Sequence, residues 1–257
     1  MVSGPAIPLR GKRLLVTGAS GQIASAVCKR LAAANQVWGA ARFADEERRR
    51  ELGAAGVRTC PVNLADGDLS ALPDDIDHLL HLAVYMPAPP TGVSKVAQEA
   101  VAKFCAREFG LPVVIARMNV AYGAGGGVPA RHLGLLLAGE TIVLRHDPAP
   151  YSPIHEDDIV GHLRPLLAAA AVPALVVNFG GDEVVTTQQW CGYLADLAGV
   201  QPRFQVTPLP GGQPGGAVDV TRRQSLTGPD RVSWRDGMPR MFEARLPLGG
   251  SRRASRL

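Results

Sequence analysis

The chain has 257 residues, enough to bury a full core in one large domain or one and a half. Hydrophobic residues make up 46% and charged residues 19%, which excludes a chain too polar to fold. The formal net charge is +4. Much of it sits in Arg48, Arg49 and Arg50 and in Arg252, Arg253 and Arg256, with no basic stripe interleaved with aromatics. Nucleic acid is therefore not an expected partner. The four cysteines, Cys28, Cys60, Cys105 and Cys191, stand far apart and form no CxxC pair. That spacing argues against a zinc site or a disulfide framework and fits a reducing compartment, so no metal is expected. No apolar run approaches the roughly 18 residues of a membrane helix. The first residues lack the layout of a signal peptide, and the expected location is cytoplasmic.

Strands and helices alternate from the start. Lys12 to Thr17 is a short apolar run closed by Gly18, and helical spacing follows from Ile23 to Ala34. Gln36 to Ala41 reads as a second strand, Asp45 to Ala55 as a charged surface helix, and Val57 to Val62 as a third strand. His78 to Val84 reads as a fourth, apolar on both faces. This order predicts an α/β fold, a doubly wound parallel sheet of the Rossmann type with right-handed crossovers. Pro87 to Pro90 is expected to be a loop, then a helix runs from Gly92 to Phe109 and a strand from Pro112 to Arg117.

Gly123 to Gly127 is read as a flexible hinge into a smaller lobe. The expected domains are thus 1–123 and 124–247, with 248–257 a disordered tail; some later elements could return to the first domain. Beyond the hinge, helices are expected at 131–138, 156–171, 187–198 and 234–245, with Pro165 kinking the second. Strands are expected at 141–145 and 175–179, and a loop at 211–216.

The segment LLVTGASGQIASAVCKRL carries the strongest signal. Gly18 and Gly21 let the chain turn sharply and let a pyrophosphate approach the backbone where a Cβ would block it. The free amides of the next helix, with its dipole, then hold the anion, so Gly18, Ala19, Ser20, Gly21, Gln22 and Ile23 form the expected phosphate turn. The bland alternative is a tight strand-to-helix turn with no ligand. Arg42, just past the second strand, suits a ribose 2′-phosphate and favours NADP over NAD; it could equally be one more solvated arginine.

TGASGQIA resembles the TGxxGxxG fingerprint of the extended short-chain dehydrogenase/reductases, the NAD-dependent epimerase/dehydratase family, with Ala24 in place of the last glycine. Further motifs follow in that family's order. Asn63-Leu64 resembles its Asp-Leu pair against the adenine, and His81 to Ala83 its fourth-strand HxA. Thr91-Gly92-Val93-Ser94-Lys95 with Gln98-Glu99 resembles its YGxSKxxxE helix. Arg117 to Gly123 resembles RPxNVYG, Ile154 to Ile159 resembles IHVDDL, and Asn178 to Gly181 resembles NVGG. The resemblance spans roughly residues 12 to 245.

Two departures stand out. Thr91 occupies the position of the family's catalytic tyrosine, and a threonine hydroxyl has too high a pKa for that acid–base role. Lys95 remains as an expected ribose contact. His81 and Lys95 also lie only a few residues apart, where the family inserts a helix and a strand. The resemblance places a helix of the family's usual dimer interface in that missing stretch, which leaves monomer or dimer open. If the sheet closes over the gap, the strand at 112–117 pairs directly with that at 78–84.

The candidate catalytic residues are Lys95, Thr91, Tyr85 and Tyr122, the two phenols being the only ones near the expected nicotinamide end. Asn63, Leu64 and Ala83 complete the expected cofactor contacts. Asn63 reads as either an adenine contact or a turn residue, and His81 as a core histidine more than a base. Asn119, Arg131, His155 and Arg222 are candidate substrate contacts, though capping explains the acidic residues after His155. The expected function is an NAD(P)-binding, epimerase/dehydratase-like enzyme acting on a small hydroxylated or carbonyl substrate. The rivals are a non-redox isomerase, lyase or cyclase on the same fold, and a catalytically dead protein that senses a dinucleotide or binds a partner.

Overall fold

The structure is a computed structural model that describes residues 9–83, 91–208 and 215–246. Tyr85, the Pro87 to Pro90 stretch, most of the 211–216 loop and the 248–257 tail lie outside the described residues. In chain order, β1 (Arg13–Thr17), α1 (Gln22–Ala32), β2 (Gln36–Ala41), α2 (Glu46–Ala54), β3 (Arg58–Pro61) and β4 (His78–His81) come first. Then come α3 (Thr91–Glu108), β5 (Val114–Met118), β6 (Ala121–Gly123), β7 (Gly126–Gly127) and α4 (Val128–Leu137). Next are β8 (Thr141–Leu144), β9 (Pro150–Tyr151), β10 (Ile154–His155), α5 (Glu156–Ala168) and β11 (Leu175–Phe179). The last are β12 (Val185–Thr186), α6 (Thr187–Ala198), β13 (Arg203–Val206), α7 (Thr221–Thr227) and α8 (Trp234–Arg245).

The chain forms two compact units. The first comprises Met1–Arg117, Asp158–Phe179 and Val220–Pro229; the second comprises Met118–Asp157, Gly180–Asp219 and Asp230–Leu257. The changeover thus falls at Arg117 rather than Gly123. Most of α5, with β11 and α7, returns to the first unit.

In the first unit, four strands pair in the order β3-β2-β1-β4, all parallel. β1 is central and buried from Leu14 to Thr17, as a strand covered on both faces must be. α1 buries Ala24, Val27, Cys28 and Leu31, the spacing of a single helix face. The charged α2 is started by Asp45, whose carboxylate accepts from Glu47 N and Arg48 N at 3.0 and 3.1 Å.

The expected continuous sheet is not formed. Among the described residues β4 is an edge strand, and β5 pairs with β11 in a separate two-stranded sheet. The physical reason lies in what holds β5. Val113 and Ala171 exchange backbone bonds, and Leu175 N donates to Val113 O at 3.0 Å. Arg117 at the end of β5 clasps Glu99 of α3 with two bonds of 2.9 and 2.7 Å. These bonds, then that of Lys103, hold the Glu99 carboxyl down to about 2. Closing the sheet would drag this packed block by a strand spacing of ~4.8 Å. Leu79 on β4 and Val96, Val101 and Phe104 on α3 remain exposed, the kind of surface a further helix and strand would cover.

The second expectation to fail is the flexible hinge. Residues 121–127 form an antiparallel pair, β6 with β7, and β6 also pairs in parallel with β10. Glu156 locks the turn, its carboxylate accepting from Ala124 N at 3.2 Å and Gly125 N at 3.1 Å. The glycines serve close approach rather than flexibility. At Gly127, with φ of 109°, a Cβ would lie against the carbonyl oxygen of Ala121.

The second unit has its own core of Trp190, Leu194, Leu133, Leu136, Ile142, Tyr122, Trp234, Met238 and Met241, drawn from α4, α6, α8 and the strands between them. α6 opens with a reciprocal capping box between Thr186 and Gln189. At the centre Trp190 Nε1 donates to His132 Nδ1 at 3.0 Å. Burial, with the nearby Arg131 charge, pushes the His132 pKa down from 6.5 to about 4.

That shift predicts an acid-labile unit. The unfolded chain takes up a proton at His132 near pH 6.5 and the folded chain only near 4. Stability from this residue is therefore complete above 6.5 and lost as pH falls from 6.5 toward 4. The loss is on the order of 3 kcal/mol. Urea midpoints at pH 7.5 and 4.5 should fall less in His132→Gln than in the wild type; equal falls would refute the assignment.

Candidate functional site

The site is built at the carboxyl ends of β1, β2 and β4. β1 ends at Thr17, and Gly18 turns the chain with φ of 71°, a left-handed conformation that disfavours any side chain. A Cβ at Gly18 would also lie 2.7 Å from Ala83 Cα, so the end of β4 presses directly on the turn. Gly21 N donates to Gly18 O at 2.8 Å and closes the turn. Ala19 is fully buried and its N–H is held by Ala40 O at 3.2 Å.

Gly39 on β2 makes room for this arrangement, since a Cβ there would sit 2.9 Å from Ala19 Cβ. The sequence reading passed over Gly39. Its signal was a glycine inside an otherwise apolar strand, which often marks a close backbone approach.

α1 then begins at Gln22 with Gly21 as its cap residue, no side-chain capping bond and no acidic residue in the first turn. Its first amides and the positive end of its dipole are left for an outside anion. A second strand-to-helix start in the same sheet, at α2, is closed by Asp45 and carries Glu46 and Glu47 in its first turn. Only the first of these two helix starts has the donor set and the glycine clearance that a pyrophosphate needs. The described residues therefore fit the group that the sequence implies.

Around the turn the other expected contacts are distributed unevenly. Arg42 is exposed just past β2, followed by Phe43, which takes a left-handed φ of 49° and is buried. Ala83 N donates to Thr17 Oγ1 at 3.2 Å, and the same oxygen is 2.9 Å from His81 Nδ1. Partial burial, then the charge of Lys95, lowers the His81 pKa below its usual range. Lys95 donates to Gln98 Oε1 at 2.9 Å, and its own pKa is lowered by burial. Thr91 opens α3, and its side chain lies outside the described atoms. The Asn63 amide donates to Asp66 Oδ1 at 2.8 Å, while Leu64 beside it is half-buried.

The remaining candidates have the following surroundings. Tyr122 is 2% exposed in the second core, with its hydroxyl where a Cβ on Gly237 would be. His155 lies edge-on to Tyr122 at 5.3 Å, and its Nδ1 accepts from Asp157 N at 3.1 Å. Asn119 staples two backbone segments, accepting from Ser152 N at 2.9 Å and donating to Gly216 O. Arg222 donates to Val176 O at 3.1 Å on β11, and Arg131 is exposed on α4. The four cysteines are free, and burial pushes Cys28 and Cys191 up to about 12, which leaves them inert as nucleophiles.

Comparison with known proteins agrees with this geometry. Residues 14–91 match the NAD dependent epimerase/dehydratase family. No curated protein sequence matches the chain. Among solved structures, UDP-glucuronic acid 4-epimerase from Bacillus cereus, in complex with UDP-glucuronic acid and NAD, is similar with a TM-score of 0.78 and 19% identity. That match covers 90% of this chain and 98% of the epimerase. UDP-N-acetylglucosamine 4-epimerase from Methanobrevibacter ruminantium gives a TM-score of 0.77 at 15% identity, covering 91% and 98%. UDP-glucose 4-epimerase from Thermotoga maritima gives 0.74 at 19%, covering 90% and 97%. At these identities the likeness is one of fold. Among the described residues no helix is long and apolar enough to cross a membrane. Residues 14–91 are thus similar to the NAD-dependent epimerase/dehydratase family, and the chain shares the fold of its solved epimerases.

Proposed function

We propose that the chain binds NAD(H) or NADP(H) at the Gly18–Gly21 turn and uses it on a hydroxyl-bearing or carbonyl carbon of a small substrate. The observation that carries this reading is the uncapped start of α1, set between glycines that leave no room for a Cβ at Gly18. The amides of Gln22 and Ile23 would hold the pyrophosphate, and Lys95 the nicotinamide ribose. Arg42 is exposed at the end of β2, where a ribose 2′-phosphate would meet its guanidinium, which supports NADP over NAD. When bound, the nicotinamide supplies a reversible hydride acceptor at the carbinol carbon. Because the similar structures include epimerases solved with UDP-sugars, the substrate class we favour is a nucleotide sugar.

The test is a fluorescence titration of the purified protein with NADPH and NADH. Saturable binding is expected, tighter for NADPH. Arg42→Glu should weaken NADPH by roughly tenfold or more, the worth of one charge-assisted bond, and leave NADH nearly unchanged. Equal loss for both dinucleotides would remove Arg42 from the 2′-phosphate role. One observation favours a second reading: with Thr91 at the start of α3, no tyrosine stands ahead of Lys95 on that helix. A protein that binds the dinucleotide tightly but turns over nothing would be a sensor or partner-binding module.

A further inference from the structure

We propose that His81 is the proton carrier of this site, taking the part that Thr91 cannot play. The inference rests on the dinucleotide reading above. His81 is the last residue of β4, two positions before Ala83, whose backbone packs against Gly18. It therefore stands at the carboxyl end of the parallel sheet, beside the phosphate turn, where open α/β sheets bind their ligands. It is also exposed along the edge of the sheet, so it is not the satisfied core histidine that an apolar strand suggests.

Its orientation is fixed by Thr17, which is 4% exposed. A hydroxyl oxygen accepts two hydrogen bonds and donates one. Thr17 Oγ1 accepts one from Ala83 N and, in the arrangement that serves catalysis, a second from the Nδ1–H of His81 at 2.9 Å. That tautomer leaves the lone pair on Nε2, the nitrogen free to meet a substrate. Lys95 is the charged group that acts on the ring, and its positive charge adds to partial burial in keeping the imidazole neutral near pH 7. A neutral imidazole held at one nitrogen by a buried hydroxyl has the form of a general base with its orienting partner.

The step balances on the substrate. As the carbinol carbon loses its hydride to the oxidised nicotinamide that the dinucleotide reading would supply, the O–H bond breaks and its proton goes to His81 Nε2. The electron pair of that bond becomes the second C–O bond, so the carbon is oxidised to a carbonyl and the ring becomes an imidazolium. In the return direction the imidazolium gives the proton back to oxygen as hydride returns to carbon.

Two measurements test this, one of them independent of turnover. Nitrogen-15 NMR of the histidine-labelled protein should show His81 as the Nδ1–H tautomer, with a midpoint below 6.5. Thr17→Val should erase the tautomer preference. Second, His81→Ala should keep its melting temperature and its NADPH and NADH affinities while losing at least ~100-fold in interconversion of UDP-glucose and UDP-galactose, assayed with NADP and with NAD. Added imidazole should restore part of the rate.

An Nε2–H tautomer, or a His81→Ala rate within threefold of the wild type, overturns the proposal and leaves the dinucleotide site standing. A wild-type protein that binds NADPH or NADH but interconverts neither sugar nucleotide with NADP or NAD also overturns it, in favour of the binding module. A wild-type protein that binds neither NADH nor NADPH overturns the cofactor reading and His81 with it.

Discussion

A Gly21→Asp protein is expected to fold at least as well as the wild type and yet show no saturable binding of NADH or NADPH. Gly21 caps α1 with φ of −71° and ψ of 158°, a conformation any residue adopts, and a Cβ there would meet only Gly18 O at 3.1 Å. Aspartate is among the strongest helix caps and stabilises a helix by roughly a few tenths of a kcal/mol over the glycine that stands there. The same carboxylate would occupy the amides that the anion needs and repel its charge. Gly18→Asp should lose binding as well, but for a mixed reason. Its left-handed φ of 71° and the 2.7 Å approach to Ala83 Cα strain the fold, by ~1–2 kcal/mol for the dihedral alone. The comparison separates the two effects. A loss of at least ~100-fold in affinity, with a melting temperature preserved in Gly21→Asp, places the anion at the start of α1; undiminished binding would place it elsewhere.

The second large effect is expected at Trp190. Its side chain is fully buried at the centre of the second unit, stacked on His132 with ring centroids 5.9 Å apart. Trp190→Ala removes that volume and leaves a cavity that α4 and α8 cannot close without moving, for a cost of ~3–5 kcal/mol. It also withdraws the donor from His132 Nδ1. Against a typical stability of ~5–15 kcal/mol, such a loss should unfold much of the second unit at moderate urea. Trp190→Phe keeps most of the packing and drops only the N–H, so its midpoint should fall much less. A cost under ~1 kcal/mol for Trp190→Ala would mean that the core described here is not what holds this unit together.

How far each part of the protein could be read from sequence follows from the range of the forces involved. The β1 to β4 elements, α1 and the phosphate turn were legible because each depends on neighbours within a few residues. The apolar run ending at Thr17, the turn at Gly18 and Gly21, and the periodic burial of Ala24, Val27, Cys28 and Leu31 are local patterns. The strand pairs β9 with β12 and β6 with β10 were missed because each is only two residues long and exists through its partner. Gly123 to Gly127 was misread as a hinge because a glycine run permits both flexibility and close packing. Glu156, more than thirty residues away in the chain, decides between them.

The candidate site divides along the same line. The sequence by itself determined the α/β class, the glycine turn, its place between first strand and first helix, and the absence of a tyrosine ahead of Lys95. Only the tertiary structure gave the burial and partners of Tyr122, Asn119 and His155, because these belong to the packed chain and not to a motif. It alone showed that β5 keeps to β11 and, among the described residues, leaves β4 as an edge, since pairing is chosen by everything that packs on a strand and not by the length of its crossover. The same edge brings His81 to the surface beside Thr17, where a strand covered on both sides would have hidden it.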